Sequence, residues 1–368
     1  MADTNITLLG RIARAASIQK QPNSHIAIGY DLKTRIQRYN IIHNKISQKI
    51  STSDCLEQSK SSSTSIYKLK NILTLTDLIG SQSKNGAIYK TNIHNNSPIY
   101  IATKVMRGDD DTILETILMK AITHQVILRK ISKHFLIMYY YSLCLANRDT
   151  YYALANFNEL ATGDLKSLFR QKNIAKNKNL QSNLLIQSII SIGTFHNVVG
   201  YIHNDSHLGN FLYFTNTTKD AGNSGSNTYY HYRLKNKNFY LQSSNYDVVI
   251  NDFGFSSNLM SHKNEKDSNI FTDDYMRIIE CFINALDEDE NMKILLHYIG
   301  IISDIIKSYK DPYEKSLYLF SEILVMCSLT FPDILFINAK DLPKDHIIVN
   351  VNMPYQLYCE NKVILYDI

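Results

Sequence analysis

The sequence predicts an α+β protein in two parts, a small β-rich part followed by a larger helical part. Three observations predict it. From Ile72 to Met106 the pattern is strand-like, with Ile99, Ile101, Thr103 and Val105 alternating with Tyr100, Ala102, Lys104 and Met106. From Asn179 to Val199, Leu185, Ile189, Ile192, His196 and Val199 fall on one helical stripe, and Gly200 stands where a helix C-terminus favours glycine. Further helical patterns run from about Asp274 to Phe331. A β-rich segment followed by an α-rich one predicts two lobes with a cleft between them.

Taken in order, residues 1–70 read as an N-terminal extension, partly flexible. Its stretch from Ser47 to Ser65 is rich in Ser, Thr, Gln and Lys, with few apolar anchors, and reads as a linker. Residues 71–157 form the first lobe. Within it Asn92 to Pro98 is a turn, and Asp109 to Asp111 open a helix whose apolar positions include Ile113, Leu114, Ile117, Leu118, Ile122, Val126 and Ile127. Leu136 to Leu145 and Tyr151 to Phe157 read as strands. Residues 158–368 form the second lobe. About residues 215–245 make an insert rich in Asn, Tyr, Ser and Gly, which reads as a tolerated surface hairpin or disordered loop.

Composition excludes several classes. With 44% hydrophobic and 20% charged residues, the chain is an ordinary folded protein rather than a disordered one. The net charge of +5 comes with no block of like charge, so no nucleic-acid face is indicated. Cys55, Cys144, Cys281, Cys327 and Cys359 are odd in number and widely spaced, with no C-x-x-C. They read as reduced cysteines of an intracellular protein. The residues from Arg11 to Ile18 read as a surface helix rather than a transit peptide. No run is long enough to span a membrane. The most apolar stretch, Leu317 to Leu329, is interrupted by Glu322 and reads as a core helix.

Three segments carry chemistry. Ile101-Ala102-Thr103-Lys104 puts a lysine on a strand. His203-Asn204-Asp205-Ser206-His207-Leu208-Gly209-Asn210 follows the helix that ends at Gly200. Val248-Val249-Ile250-Asn251-Asp252-Phe253-Gly254 is an apolar strand ending in Asp-Phe-Gly. Phosphoryl transfer needs phosphates gripped by a cation, a hard metal ion held by oxygen ligands, and a carboxylate to take the acceptor's proton. Lys104, Asn210 with Asp252, and Asp205 are the residue types for those three roles.

These segments resemble the protein kinase signatures V-A-I-K, H-R-D-x-x-x-x-N and D-F-G, with Asn210 five positions after Asp205 as the pattern requires. The resemblance covers roughly residues 72–335. It implies a bilobal protein-kinase-like fold, ATP and Mg²⁺ as cofactors, and a protein substrate phosphorylated on serine or threonine. It implies Lys104 on the phosphates, Asp205 as base and Asn210 and Asp252 on the metal. Gly80 to Tyr89 looks like a degenerate Gly-rich loop, so Gly80, Gly86 and Ile88 are nucleotide-site candidates, and Ala102 joins them from the V-A-I-K-like segment. Asn158 to Leu165 resembles the hinge that holds adenine through backbone groups, which makes Glu159 a candidate. Glu115 is read either as the partner of Lys104 or as part of a Thr112–Glu115 capping box. Asp274 or Asp273 looks like the aspartate that braces the catalytic loop.

The departures have implications too. Asn204 replaces the family's arginine, which removes a partner for a phosphorylated activation loop. His207 replaces a lysine at a position that faces the reaction centre in the family, which makes it a catalytic candidate beside Asp205 and Lys104 and gives the loop a likeness to aminoglycoside and choline kinases. No Ala-Pro-Glu follows Gly254, and Phe255 leans toward serine as acceptor. A small-molecule kinase and a catalytically silent pseudokinase are therefore the alternatives. The Asn-, Ile-, Lys- and Tyr-rich chain is also similar to kinase-like proteins of large DNA viruses, which implies a location in host cytoplasm or virion.

Overall fold

The computed structural model describes residues 31–366 except 62–63, 84–85, 94–98, 145–153, 216–226, 264–268 and 287–288. The expectations for residues 11–18, for most of the 92–98 turn and for residues 216–226 of the insert lie outside the described residues. The mixed α+β class holds. Two compact units divide the chain. One contains the described residues up to Lys120 together with Leu136–Ala161, and the other contains Ala121–Phe135 and Thr162–Tyr366.

The first unit opens with helix α1 (Leu32–Ser47). Asp31 caps it, its side chain accepting from the Thr34 N–H at 2.7 Å. Leu32, Arg35, Tyr39, Ile42 and Ile46 recur every three or four residues and form its buried stripe. The sheet that follows comprises β1 (Glu57–Ser61), β2 (Thr64–Leu69), β3 (Leu73–Ser83), β4 (Gly86–Ile93), β5 (Ile99–Met106), β6 (Met138–Leu143) and β7 (Leu154–Asn158). Its order is β1-β2-β3-β4-β5-β7-β6, and every neighbouring pair is antiparallel. Between β5 and β6 runs α2 (Asp110–Ile122), which starts where the Asp109 carboxylate accepts from the Thr112 N–H at 3.0 Å.

Two expectations are corrected in this unit. Of the expected linker, Glu57–Ser61 form β1, the edge strand of the sheet, and Thr64 and Ser65 begin β2 beside it. Edge strands are held by their backbone ladder and can be polar, so they carry no apolar alternation to read. The cysteines are not all reduced. Cys55 and Cys144 form a disulfide between Cα atoms 4.8 Å apart, and the intracellular inference drawn from them loses its basis. The hydrogen bond from Leu143 N–H to Thr52 O at 2.6 Å sets the two stretches side by side.

The second unit is built on α3 (Lys178–Thr194), which is buried on all sides from Gln181 to Thr194. Its polar residues survive there by local bonding: the hydroxyls of Ser188, Ser191 and Thr194 donate to carbonyls four residues back at 2.9, 2.7 and 2.7 Å. A single π turn (Phe195–Val199) extends it to Gly200, whose φ of +89° supplies the left-handed stop. Gly193 lets another helix approach closely, since a Cβ there would lie 2.1 Å from the Phe320 ring.

Strand β8 (Gly163–Asp164) precedes α3, and β9 (Tyr201–Ile202), β10 (Phe211–Thr215), β11 (Thr228–Leu234), β12 (Lys237–Gln242), β13 (Tyr246–Ile250) and β14 (Ser257–Asn258) follow it. Then come α4 (Ile270–Ala285), α5 (Glu290–Ile306), α6 (Pro312–Thr330), β15 (Leu335–Phe336), β16 (Ile347–Ile348) and β17 (Tyr355–Gln356). The insert is a hairpin, as one expectation had it, but it is not peripheral. β11 and β12 bury Tyr229, Tyr232, Phe239 and Leu241 and pair with β15, β16 and β17 of the C-terminal stretch. Among the described residues no helix is long and apolar enough to cross a membrane.

Candidate active site

In the first unit, strand register sets one group of candidates on a common face. Ile88 of β4 lies opposite Lys104 of β5, and Ala102, two residues earlier, shares the Lys104 face. Lys104 Nζ donates to both carboxylate oxygens of Glu115, at 2.7 and 2.8 Å, and the side chains are 9% and 2% exposed. Of the two readings of Glu115, the structure has the ion pair. The start of α2 is capped by Asp109 and Thr112 instead. Gly86 is required by its surroundings: φ is +145°, and a Cβ would come within 2.2 Å of the Val105 carbonyl oxygen. Gly80 has φ +72° and open space around it, so only its backbone conformation asks for glycine.

Glu159 has its side chain turned into the fold. Its carboxylate is buried, bonded by Arg35 Nε at 3.0 Å and Arg35 Nη2 at 2.7 Å, and it also accepts from the Ile137 N–H at 2.9 Å. Its own N–H donates to the Ile137 carbonyl at 2.9 Å. The side chain and the N–H are thus committed to the fold, which leaves the carbonyl for the backbone role expected at the hinge. A buried carboxylate needs such partners. Its guanidinium comes from α1, 124 residues away in sequence, where no local pattern announces it.

In the second unit the register of one strand pair assembles the rest. β10 and β13 run antiparallel with Phe211 opposite Ile250, so the residues at their ends, Asn210 and Asn251, become neighbours. The Asn251 N–H donates to the Asn210 carbonyl at 3.0 Å, and Asp252 is next in the chain. Asn210 Nδ2 donates to the Asp205 backbone oxygen at 2.8 Å and to Asp205 Oδ2 at 3.0 Å. The amide nitrogen is thereby used, and the Asn210 amide oxygen is the end left to meet a cation. Asp252 itself has φ +67° and Asn204 φ +65°, a left-handed conformation that Asp and Asn tolerate better than other side chains. Phe253 anchors the turn. It is fully buried, stacked on Phe195 at 4.9 Å and edge-on to His203 at 5.7 Å.

Asp274 braces the loop, and Asp273 does not. Asp274 Oδ2 accepts from the His203 N–H at 2.8 Å and faces His196 Nε2 at 3.0 Å, while the Asp274 carbonyl accepts from Ser206 Oγ at 2.7 Å. Burial pushes this carboxyl up, but the bonds from His196 and His203 outweigh it and hold the group below its ordinary range. Asp273 points outward, its carboxyl raised by partial burial and by the Asp274 charge. His203 Nδ1 accepts from the Asp205 N–H at 3.3 Å, which assigns its ring proton to Nε2, facing the Asn251 carbonyl at 3.0 Å.

His207 sits beside Asp205. Its Nδ1 accepts from the Gly209 N–H at 3.0 Å, so Nε2 carries the proton and lies 3.5 Å from Asp205 Oδ2. Two site features escaped the sequence reading. Arg277 reaches Asp205 Oδ1 at 3.5 Å. Asn204 also ties two stretches of the loop together, since its Nδ2 donates to the Phe255 carbonyl at 2.8 Å and to Ser257 Oγ at 2.9 Å. A helical period from Asp274 could have found Arg277, which lies three residues further on the same helix. Scanned against protein-family models the chain matches none, and a search of curated proteins returns no match.

Proposed function

We propose that this chain is a serine/threonine-type protein kinase, with a bilobal kinase-like fold in which the first unit is the small lobe and the second the large one. One observation carries the reading most strongly. The β10–β13 register draws Asn210 next to the strand that leads into Asp252, and the Asn210 amide is turned by Asp205 so that its oxygen remains for a cation. An acid, an amide oxygen and a second acid gathered this way suit metal-assisted transfer to a hydroxyl. The buried Lys104–Glu115 pair supports the same reading, since a lysine held by a helix acid is the phosphate grip of this family.

Each residue has one role in this scheme. Lys104 holds phosphate oxygens and Glu115 orients it. Asp205 takes the proton of the acceptor hydroxyl. Asn210 and Asp252 would hold Mg²⁺. Among the described residues no three His, Cys, Asp or Glu side chains gather as a metal site. A pair of oxygen ligands is nonetheless the fit for Mg²⁺, which keeps waters and takes phosphates as its remaining ligands. When bound, the ion neutralises phosphate charge. Asn204 ties down the segment after Asp-Phe-Gly with its own amide, so the proposed enzyme needs no phosphate in that position.

A small-molecule kinase is the second reading, favoured by the imidazole of His207 beside Asp205 where protein kinases have lysine. Two measurements test the proposal. Titration calorimetry with ATP should show binding that strengthens with Mg²⁺, and no binding under either condition removes both kinase readings. An acceptor screen of peptides against amino-alcohols and sugars should then favour peptides, and transfer to small molecules alone selects the second reading.

A further inference from the structure

Arg277 does more than touch the loop. Its helix, α4, is fixed by the buried Asp274, and the guanidinium reaches back so that Nη1 donates to the Asn204 carbonyl at 2.9 Å and lies 3.5 Å from Asp205 Oδ1. The side chain is 50% exposed. Among the described residues Nε and Nη2 bond nothing in the protein. Asp273 and Glu280, four residues before and three after on the same helix, close no ion pair with it. The Nε–Nη2 edge of a guanidinium is a fork that fits a carboxylate or phosphate through two parallel bonds. Asp205 does not use that edge. Its other oxygen is already served by Asn210 at 3.0 Å and His207 at 3.5 Å.

The surroundings fit a chain as acceptor. Asn204, whose carbonyl Arg277 binds, also holds the carbonyl of Phe255, and Phe255 projects into solvent at 58% exposure. A cationic fork and an exposed aromatic ring thus flank the carboxylate assigned as base. We propose that Arg277 is a specificity-determining residue that binds an acidic group near the acceptor hydroxyl, so the substrate is a serine or threonine within an acidic peptide segment. This inference rests on the kinase reading.

The test uses the full chain and three peptides that share one serine, flanked by glutamates, by glutamines or by lysines. The wild type should prefer the acidic peptide over the neutral one in kcat/KM by roughly five- to tenfold, the size expected of a partly exposed charge-assisted pair. Arg277→Ala should erase that preference, chiefly through KM for the acidic peptide. Arg277→Lys should keep part of it, and Arg277→Glu should shift preference to the basic peptide. A role confined to positioning Asn204 would lower all three rates by one common factor, and that result overturns the inference. So does a wild type without charge preference. Transfer to none of the peptides overturns the protein-kinase reading as well, so the two failures are distinguishable.

Discussion

Lys104 and Glu115 show what a buried ion pair asks of its residues. Both are almost completely desolvated, so removing one partner leaves the other charged and unsolvated. Glu115→Gln should lower unfolding stability by about 3–5 kcal/mol in urea. Adding Lys104→Met should restore most of that loss, because an apolar side chain of similar volume needs no solvation, yet ATP binding should stay impaired. A Glu115→Gln protein as stable as the wild type would contradict the buried pairing. Asp274 gives a pH signature. Its folded pKa is held below the ordinary 3.8. Its contribution is therefore complete above about pH 4 and is lost as pH falls through the lower folded value. Asp274→Asn should lose stability at pH 7 and flatten the acid side of the stability curve. Urea midpoints measured between about pH 3 and 7 check both effects, and an unchanged acid slope would count against the brace.

At the scale of elements, the N-terminal region belongs to the first unit. Helix α1 delivers Arg35 to Glu159, and the stretch after it is tied by the Cys55–Cys144 bond across a separation of 89 residues. Closing a loop of that length restricts the unfolded chain by about 4–5 kcal/mol. Cys55→Ser should lower the Tm, and a reducing agent should lower the wild type to the same value while leaving the variant unmoved. A variant with unchanged Tm would show that the bond does not form in solution. The sequence shows β5, α2 and α3 clearly, because each repeats apolar residues at the period of its own backbone. It does not show β1, whose Glu-, Gln-, Ser- and Lys-rich sequence carries no apolar period at the sheet edge. Nor does it show the disulfide or the Arg35–Glu159 pair, whose partners are too far apart in sequence for any local pattern. The β11–β12 hairpin is visible as a hairpin only. Its partners β15, β16 and β17 are two residues each, too short to carry a period.

For the whole molecule, the candidate chemistry is more legible than the fold that holds it. Lys104, Asp205, Asn210 and Asp252 stand in short motifs whose spacing survives in sequence. The contacts that Arg277, His196 and Asn204 make around Asp205 and its loop become visible only when helix and loop are folded together. Glu159 is the converse case: its position in a motif draws attention, and the fold has already used its side chain. In the proposed reaction Asp205 accepts the proton of the acceptor hydroxyl during transfer from ATP. The direct measurement follows labelled γ-phosphate from ATP into a peptide acceptor with the wild-type protein and with Asp205→Asn, alongside ATP affinity for both. Transfer should fall by about 10²–10⁴-fold in the variant while ATP affinity is kept. Equal transfer by both proteins would contradict it.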